Sequence, residues 1–186
     1  MKEHLPANRK MPTIPFAEHC ARVEDLLKKR YAIAVITRDI PDPLTGDLDG
    51  LEIHIDYFVT SDQRLFLLAH LFGHTVQWNV DPGTFELGRQ YKPPVAEELF
   101  PAILAYEQEA AGYGLSLLHE AGVGTVDEWF SKYSACDQSY LLDFYRTGEK
   151  HDFQLFWPKT AALLDPKPIP SFTPKRRTFR MDGVVI

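Results

Sequence analysis

Thr60-Ser61-Asp62-Gln63 has the form of a helix capping box, in which a hydroxyl side chain and a glutamine three positions on satisfy free backbone N–H groups. It opens an apolar run from Leu65 to Trp78 that stops before Asp81-Pro82-Gly83, so the spacing predicts a helix of about four turns. Four further helical segments and two strands flank it. Phe16 to Arg30 carries Phe16, Cys20, Val23 and Leu26/Leu27 at amphipathic spacing, and Val95 to His119 is a longer helix closed by Gly122. Asp127 to Tyr133 and Ser139 to Thr147 read as two short helices, and the Gly- and Pro-containing stretch before Val95 as a loop. Tyr31 to Ile40 and Gly50 to Val59 have strand patterns. The linker between them is turn chemistry throughout, so the two are expected to pair like a hairpin. From Pro158 the chain is proline-rich and basic, and is expected to wrap the surface or stay disordered. The expected organisation is a domain over residues 1–157 and a tail over 158–186.

Length and composition bound the class. With 186 residues, 45% apolar and 25% charged, the chain suits one ordinary globular core. Its purely apolar stretches, such as Leu65 to Ala69, fall far short of the roughly 18 residues of a transmembrane helix, and the charged N-terminus lacks the apolar core of a signal peptide. No membrane partner and a cytoplasmic location are expected. Cys20 and Cys136 have no second cysteine nearby and are expected as reduced thiols. Residues 1–30 carry seven Lys/Arg against four Asp/Glu, residues 150–186 seven against three, and the middle six against nineteen. An acidic body repels duplex nucleic acid. The one dense basic cluster, Lys175-Arg176-Arg177-Thr178-Phe179-Arg180, suits a solvated tail, a fold-back onto the acidic body, or contact with nucleic acid or an acidic partner.

Chemistry concentrates on the central helix. His70 and His74 stand four residues apart and share one helix face, where two neutral imidazoles can supply two of the three protein ligands of an open tetrahedral zinc site. The next long helix has an apolar stripe of Phe100, Ile103/Leu104, Ala111, Gly114 and Leu118, interrupted by Glu107. A carboxylate on a core-facing stripe is costly unless it is paired or holds a metal. The alternatives are a salt bridge from Glu107 to Arg64 or Arg146, and histidines that pack without metal.

The stretch from Ile53 to Leu118, roughly a third of the chain, resembles the ImmA/IrrE-type zincin (gluzincin) metallopeptidases. A strand is followed by LFLLAHLFGH against the family's F-x-L-A-H-E-x-G-H, then by EQEAAGYGLSLL against E-x-E-A-N-x-F-A-x-x-L-L. HTVQW, with Gln77, is similar to the H-V-V-Q continuation of other HExxH zincins. The resemblance implies an α+β, zincin-like single domain, a small sheet packed beside helices that carry the metal ligands. It implies Zn2+ held by His70, His74 and Glu107, with Glu109 the ligand if the register shifts by two. Tyr106 and Tyr113, flanking Glu107, could donate to an oxyanion or, like Glu109, support the site from behind. Two positions depart from the pattern. Leu71 stands where HExxH has the general-base glutamate, and Ala111 where an Asn or Asp usually supports a ligand histidine.

Three expectations follow from these residues. The first is a zinc metallopeptidase-like protein acting on a peptide bond in a regulatory protein, with Glu98 or Glu109 as substitute base; proteins of this family act on DNA-binding repressors in bacteria. The second is a catalytically inactive module that keeps the metal or only the fold and holds a peptide or protein partner. In the third, the histidines bind no metal. A His-His-Glu set also accepts divalent ions other than zinc. Elsewhere, His54 alternates with Ile53 and Ile55 and is expected to face solvent, His119 and Glu120 lie at a helix C-terminus, and Trp157 is expected to anchor the tail.

Overall fold

The computed structural model describes residues 13–41, 44–90 and 93–177, apart from the side chains of residues 88–90. The first helix, α1 (Phe16–Tyr31), buries Cys20, Val23 and Leu27 and stops where Ala32 turns left-handed at φ 54°. Three strands follow: β1 (Ala34–Arg38), β2 (Gly46–Leu48) and β3 (Glu52–Asp56). They form one sheet of order β1-β3-β2, with β1 parallel and β2 antiparallel to β3. The expected hairpin of the two long strands is therefore corrected, because the linker supplies a strand of its own. Its aspartates take up backbone N–H groups within the strand and in the bend that follows it. Asp47 Oδ1 accepts the Leu48 N–H at 2.8 Å, and Asp49 Oδ1 accepts those of Leu51 and Glu52 at 2.9 and 2.8 Å.

The capping box opens α2 (Ser61–Val80), with the Thr60 N–H donating to Gln63 Oε1 at 2.9 Å. Every residue from Leu65 to Trp78 is buried. A helix apolar on all sides has to be enclosed on all sides. The sheet lies on one flank, where Leu67 and Leu71 reach Gly46 of β2. A short helix, α3 (Pro82–Gln90), then forms where a loop is expected; Pro82 needs no N–H partner in the first turn, and Asp81 Oδ1 accepts the Gly83 N–H at 2.8 Å. Next, α4 (Phe100–Glu120) starts after a 3-10 turn at Glu97–Leu99, with Pro101 in its first turn. Finally, α5 (Asp127–Thr147) is continuous, which corrects the expectation of two short helices. Its buried side runs unbroken through Tyr133, Ser134, Cys136, Asp137, Tyr140 and Leu141, and Gly148 at φ 74° ends it. The described residues thus form one α+β domain of five helices and a three-stranded sheet.

After a 3-10 turn at Phe153–Phe156, where Trp157 packs edge-on against Tyr133, residues 158–177 run extended over the helices. The Leu164 N–H donates to Ser131 Oγ at 3.0 Å, and the Lys167 N–H to the Gly112 carbonyl at 3.0 Å. Phe172 stacks on Tyr31 at 5.9 Å. Arg176 reaches Asp49 at 3.3 Å and Glu52 at 2.8 Å, while Arg177 donates to the Trp78 carbonyl. The tail therefore wraps the surface, and these two arginines fold back on the acidic body; Thr178, Phe179 and Arg180 lie outside the described residues. The same polar sheet face holds His54, 5% exposed with Nε2 3.3 Å from Glu52. Its expected exposure is corrected, since β3 is the central strand and the tail covers Glu52 beside it. Both cysteines are free and buried, and no described helix is long and apolar enough to cross a membrane.

The contact between α2 and α4 is made backbone to backbone. A Cβ on Gly73 would lie 2.0 Å from the Ala110 carbonyl oxygen, and one on Gly114 2.7 Å from that of Ala69. Gly73→Ala forces the helices apart and is expected to destabilise the fold by about 3 kcal/mol or more. Gly124→Ala, whose Cβ meets nothing nearer than 3.6 Å, is the control. Equal urea midpoints for the two variants would count against this packing.

Candidate metal centre

Close helix approach brings three side chains together. His70 and His74, one turn apart on α2, face Glu107 of α4, and all three are at most 3% exposed. Nε2 of His74 lies 3.1 Å from Nε2 of His70 and 3.2 Å from Glu107 Oε2, and His70 Nε2 is 3.4 Å from the same oxygen. The three donor atoms lie within 4.8 Å of one another, the spacing at which they could hold one metal ion. Neither cation weighed for Glu107 reaches it, as Arg64 pairs with Glu24 and Arg146 with Glu97.

The surroundings fix the protonation. Burial pushes His70 down to about 3, with His74 adding to the shift and Glu107 opposing it, so His70 is neutral at physiological pH. Burial pushes the Glu107 carboxyl up, but the charge and hydrogen bond of His74 and the charge of His70 together outweigh it and hold the group below its ordinary value. A carboxylate held toward its ionised form beside two imidazoles in the core is an arrangement that a cation completes.

Orientation comes from a polar relay. Gln77 Nε2 donates to the Tyr106 carbonyl at 2.9 Å and to Glu109 Oε2 at 2.8 Å, which turns Gln77 Oε1 toward His74 Nδ1 at 2.9 Å. That nitrogen then carries a hydrogen, so Nε2 is the ring atom directed at the other two donors. The relay continues to the tail, where Lys167 pairs with Glu109. Gln77 thus supplies the support that Ala111 cannot. Its place in HTVQW, three residues after His74, was the visible signal.

The other sequence candidates fall in distinct places. Glu109 stands behind Gln77, part of the relay rather than of the donor group. Tyr106 lays its ring against His74 at 4.6 Å and accepts the Trp78 indole N–H on its hydroxyl at 2.7 Å. Tyr113 sits in the core under the Lys167 ammonium. Glu98 is exposed, His119 pairs with Asp127 at 3.0 Å, and Glu120 accepts from the Tyr31 hydroxyl. Leu71 is fully buried and packs toward β2.

Sequence reasoning missed Asp137 of α5, which is 1% exposed, with Oδ1 lacking a hydrogen-bond partner among the described residues. An unmet buried polar group costs about 1–3 kcal/mol. Burial holds its carboxyl well above the ordinary value, and the Glu107 charge adds to the shift. The signal was the one that exposed Glu107, a carboxylate on an apolar stripe, hidden because Asp137 fell between two supposed helices.

No protein-family model matches the chain, and comparison with curated proteins gives no match. Among solved structures, a Mycobacterium tuberculosis transcriptional regulator is similar at 15% identity and a TM-score of 0.31, over 74% of this chain and 39% of that one. The chain spans well under half of that structure's length.

Two outcomes are expected from this geometry. Gln77→Leu frees the His74 ring and should weaken metal binding about 10- to 100-fold in chelator competition, with the melting transition retained. Unchanged affinity would remove Gln77 from the site. Asp137 holds its proton in the folded chain above the ordinary aspartate value of 3.8, so as pH rises the unfolded chain ionises first and the fold weakens until Asp137 itself ionises. Asp137→Asn should therefore raise the melting temperature of the metal-free chain at about pH 7 and leave it unchanged near about pH 3. An equal gain at both would show that the ionisation is irrelevant.

Proposed function

We propose that this chain is a zinc-binding, metallopeptidase-like protein whose centre is His70, His74 and Glu107, acting on a peptide bond in a regulatory protein. One observation carries the reading. Donors bound to zinc at about 2.0 Å in a tetrahedron stand about 3.3 Å from each other. The three donor pairs here are separated by 3.1, 3.2 and 3.4 Å. Calcium and magnesium favour all-oxygen shells, so the imidazole pair supports zinc or a neighbouring first-row ion. Among the described residues no further donor is grouped with these three, an arrangement shared with catalytic rather than closed structural zinc sites.

Zinc bound there supplies a Lewis acid for a carbonyl oxygen. The chain's own contribution is to orient the donors: His74 through Gln77, His70 through its stack on Phe66 at 5.2 Å, and Glu107 through its place between two helices. The likeness to the ImmA/IrrE-type motifs supports peptide hydrolysis as the reaction class. A second reading, a metal-retaining module that holds a peptide or protein without cleaving it, is favoured by Leu71, since an alkyl side chain cannot carry a proton.

Elemental analysis of untagged protein separates these from a metal-free fold. About one zinc per chain is expected in the wild type and none in His70→Ala or Glu107→Ala. No metal after zinc is added back would overturn both readings. Incubation of the zinc-loaded chain with a mixed peptide library, followed by mass spectrometry, then decides between them: cleavage lost in Glu107→Ala supports the peptidase, and none with zinc bound supports the module.

A further inference from the structure

The helix carrying Asp137 is placed at the centre by two independent registers. Along α4 and α5, Phe130 packs where a Cβ on Gly114 would lie, 3.2 Å away, while Phe100 and Ile103 at one end cluster with Leu141 and Tyr145 at the other. The two helices are therefore antiparallel. Glu107 lies seven residues before Gly114 and Asp137 seven residues after Phe130, so two turns along the same contact bring the carboxyls opposite each other. Along α2 and α5, which run parallel because each is antiparallel to α4, Phe66 stacks on Tyr133 at 4.1 Å. His70 and Asp137 each follow four residues later on the same face. Both registers put Asp137 level with the donor group.

Asp137 also borders a cavity of about 280 Å³ whose lining includes Thr45, Phe66, Leu67, Tyr133 and Tyr140. Phe66 belongs to both neighbourhoods, with one ring contact to Tyr133 of the lining and another to His70 of the donor group. Asp137 Oδ1 is buried here without a hydrogen-bond partner among the described residues. Buried carboxyl oxygens left unpartnered in a cavity beside a metal-ligand cluster are where a ligand hydrogen bond is to be sought.

We propose that Asp137 is the proton-transfer group of this centre, and that the cavity it lines receives a peptide carrying an apolar side chain next to the reacting carbonyl. The proposal rests on the metal-centre reading above and deepens it. A volume at the small end of ligand pockets takes one side chain and its peptide unit, and the aromatic rings of Phe66, Tyr133, Tyr140 and Phe153 suit an apolar one. In the step this arrangement performs, a water oxygen bonds to the carbonyl carbon as its proton passes to the Asp137 carboxylate. The carbon–nitrogen bond then breaks as that proton moves to the departing nitrogen, giving a carboxylic acid and an amine. Water is the only co-reactant. Burial opposes the ionised form of Asp137, and a cation opposite it favours that form. Lys150 and His151 also line the cavity, and His151 is held by Asp143 at 2.6 Å.

Cobalt(II) is the probe for the test, because its visible absorption reports coordination without requiring turnover. The full chain, Asp137→Asn, Asp137→Ser and the surface control Asp127→Asn are loaded with cobalt and titrated from acid to alkaline pH. All four are expected to bind cobalt. The wild type and control should share one spectral midpoint, and both Asp137 variants should shift it by about one pH unit or more. In the peptide-library assay, initial cleavage should fall about 100-fold or more in both variants at unchanged metal content. Cobalt bound with the same midpoint in all four proteins overturns the role of Asp137 and leaves the metal centre standing. Failure of the wild type to bind cobalt overturns both.

Discussion

Gly73 and Gly114 let α2 and α4 approach until no methyl group fits between their backbones, and that separation sets how far every side chain at the centre must reach. At such a distance a histidine on one helix and a glutamate on the other meet at 3.2 Å. A wider spacing would leave Glu107 as an ionised carboxylate in the core with no partner, at a cost of several kcal/mol. Packing and chemistry are thus one constraint here, since the glycines that close the core also bring the donor atoms together.

The polar atoms form a connected path rather than an isolated cluster. From His74 the hydrogen bonds pass through Gln77 to Glu109, and from there to Lys167 on the extended tail. Gly112 leaves room for that tail, with Lys167 Cβ only 3.1 Å from where its own Cβ would be. Buried polar groups are tolerated when each has its partner, and this path carries the requirement outward until it reaches half-exposed charge. The proline-rich segment is therefore structurally tied to the centre, although it contributes no donor atom to it.

Much of this was legible in the sequence for identifiable reasons. The capping box and the apolar run fixed α2, and the interruption of an apolar stripe by Glu107 pointed to the partner helix, because both signals are local and periodic. The strand pairing was not legible: β2 has only three residues, and its Asp47 and Gly46 read as turn formers until β3 offers them a ladder. Position 54 failed for a related reason, as alternation gives the face of a strand but not what covers it. Helix α5 was divided because Ser134, Asp137 and Ser139 have weak helix propensity, which packing against α4 overrides. That division concealed Asp137, whose buried Oδ1 has no hydrogen-bond partner among the described residues.

The two faces of α2 explain why position 71 is a leucine rather than a carboxylate. His70 and His74 look toward Glu107 of α4, while Leu67 and Leu71 look toward the sheet, where Leu71 Cδ1 comes within 3.0 Å of a Cβ position on Gly46. A glutamate at position 71 would press an ionised group onto a fully buried contact with β2. Burial of that kind is met in proteins by pairing or by loss of the charge. The edge strand has in effect claimed position 71 for packing. Helix α5 brings a buried carboxyl to the cavity lining instead, in Asp137, whose place along the helix is level with His70 and Glu107.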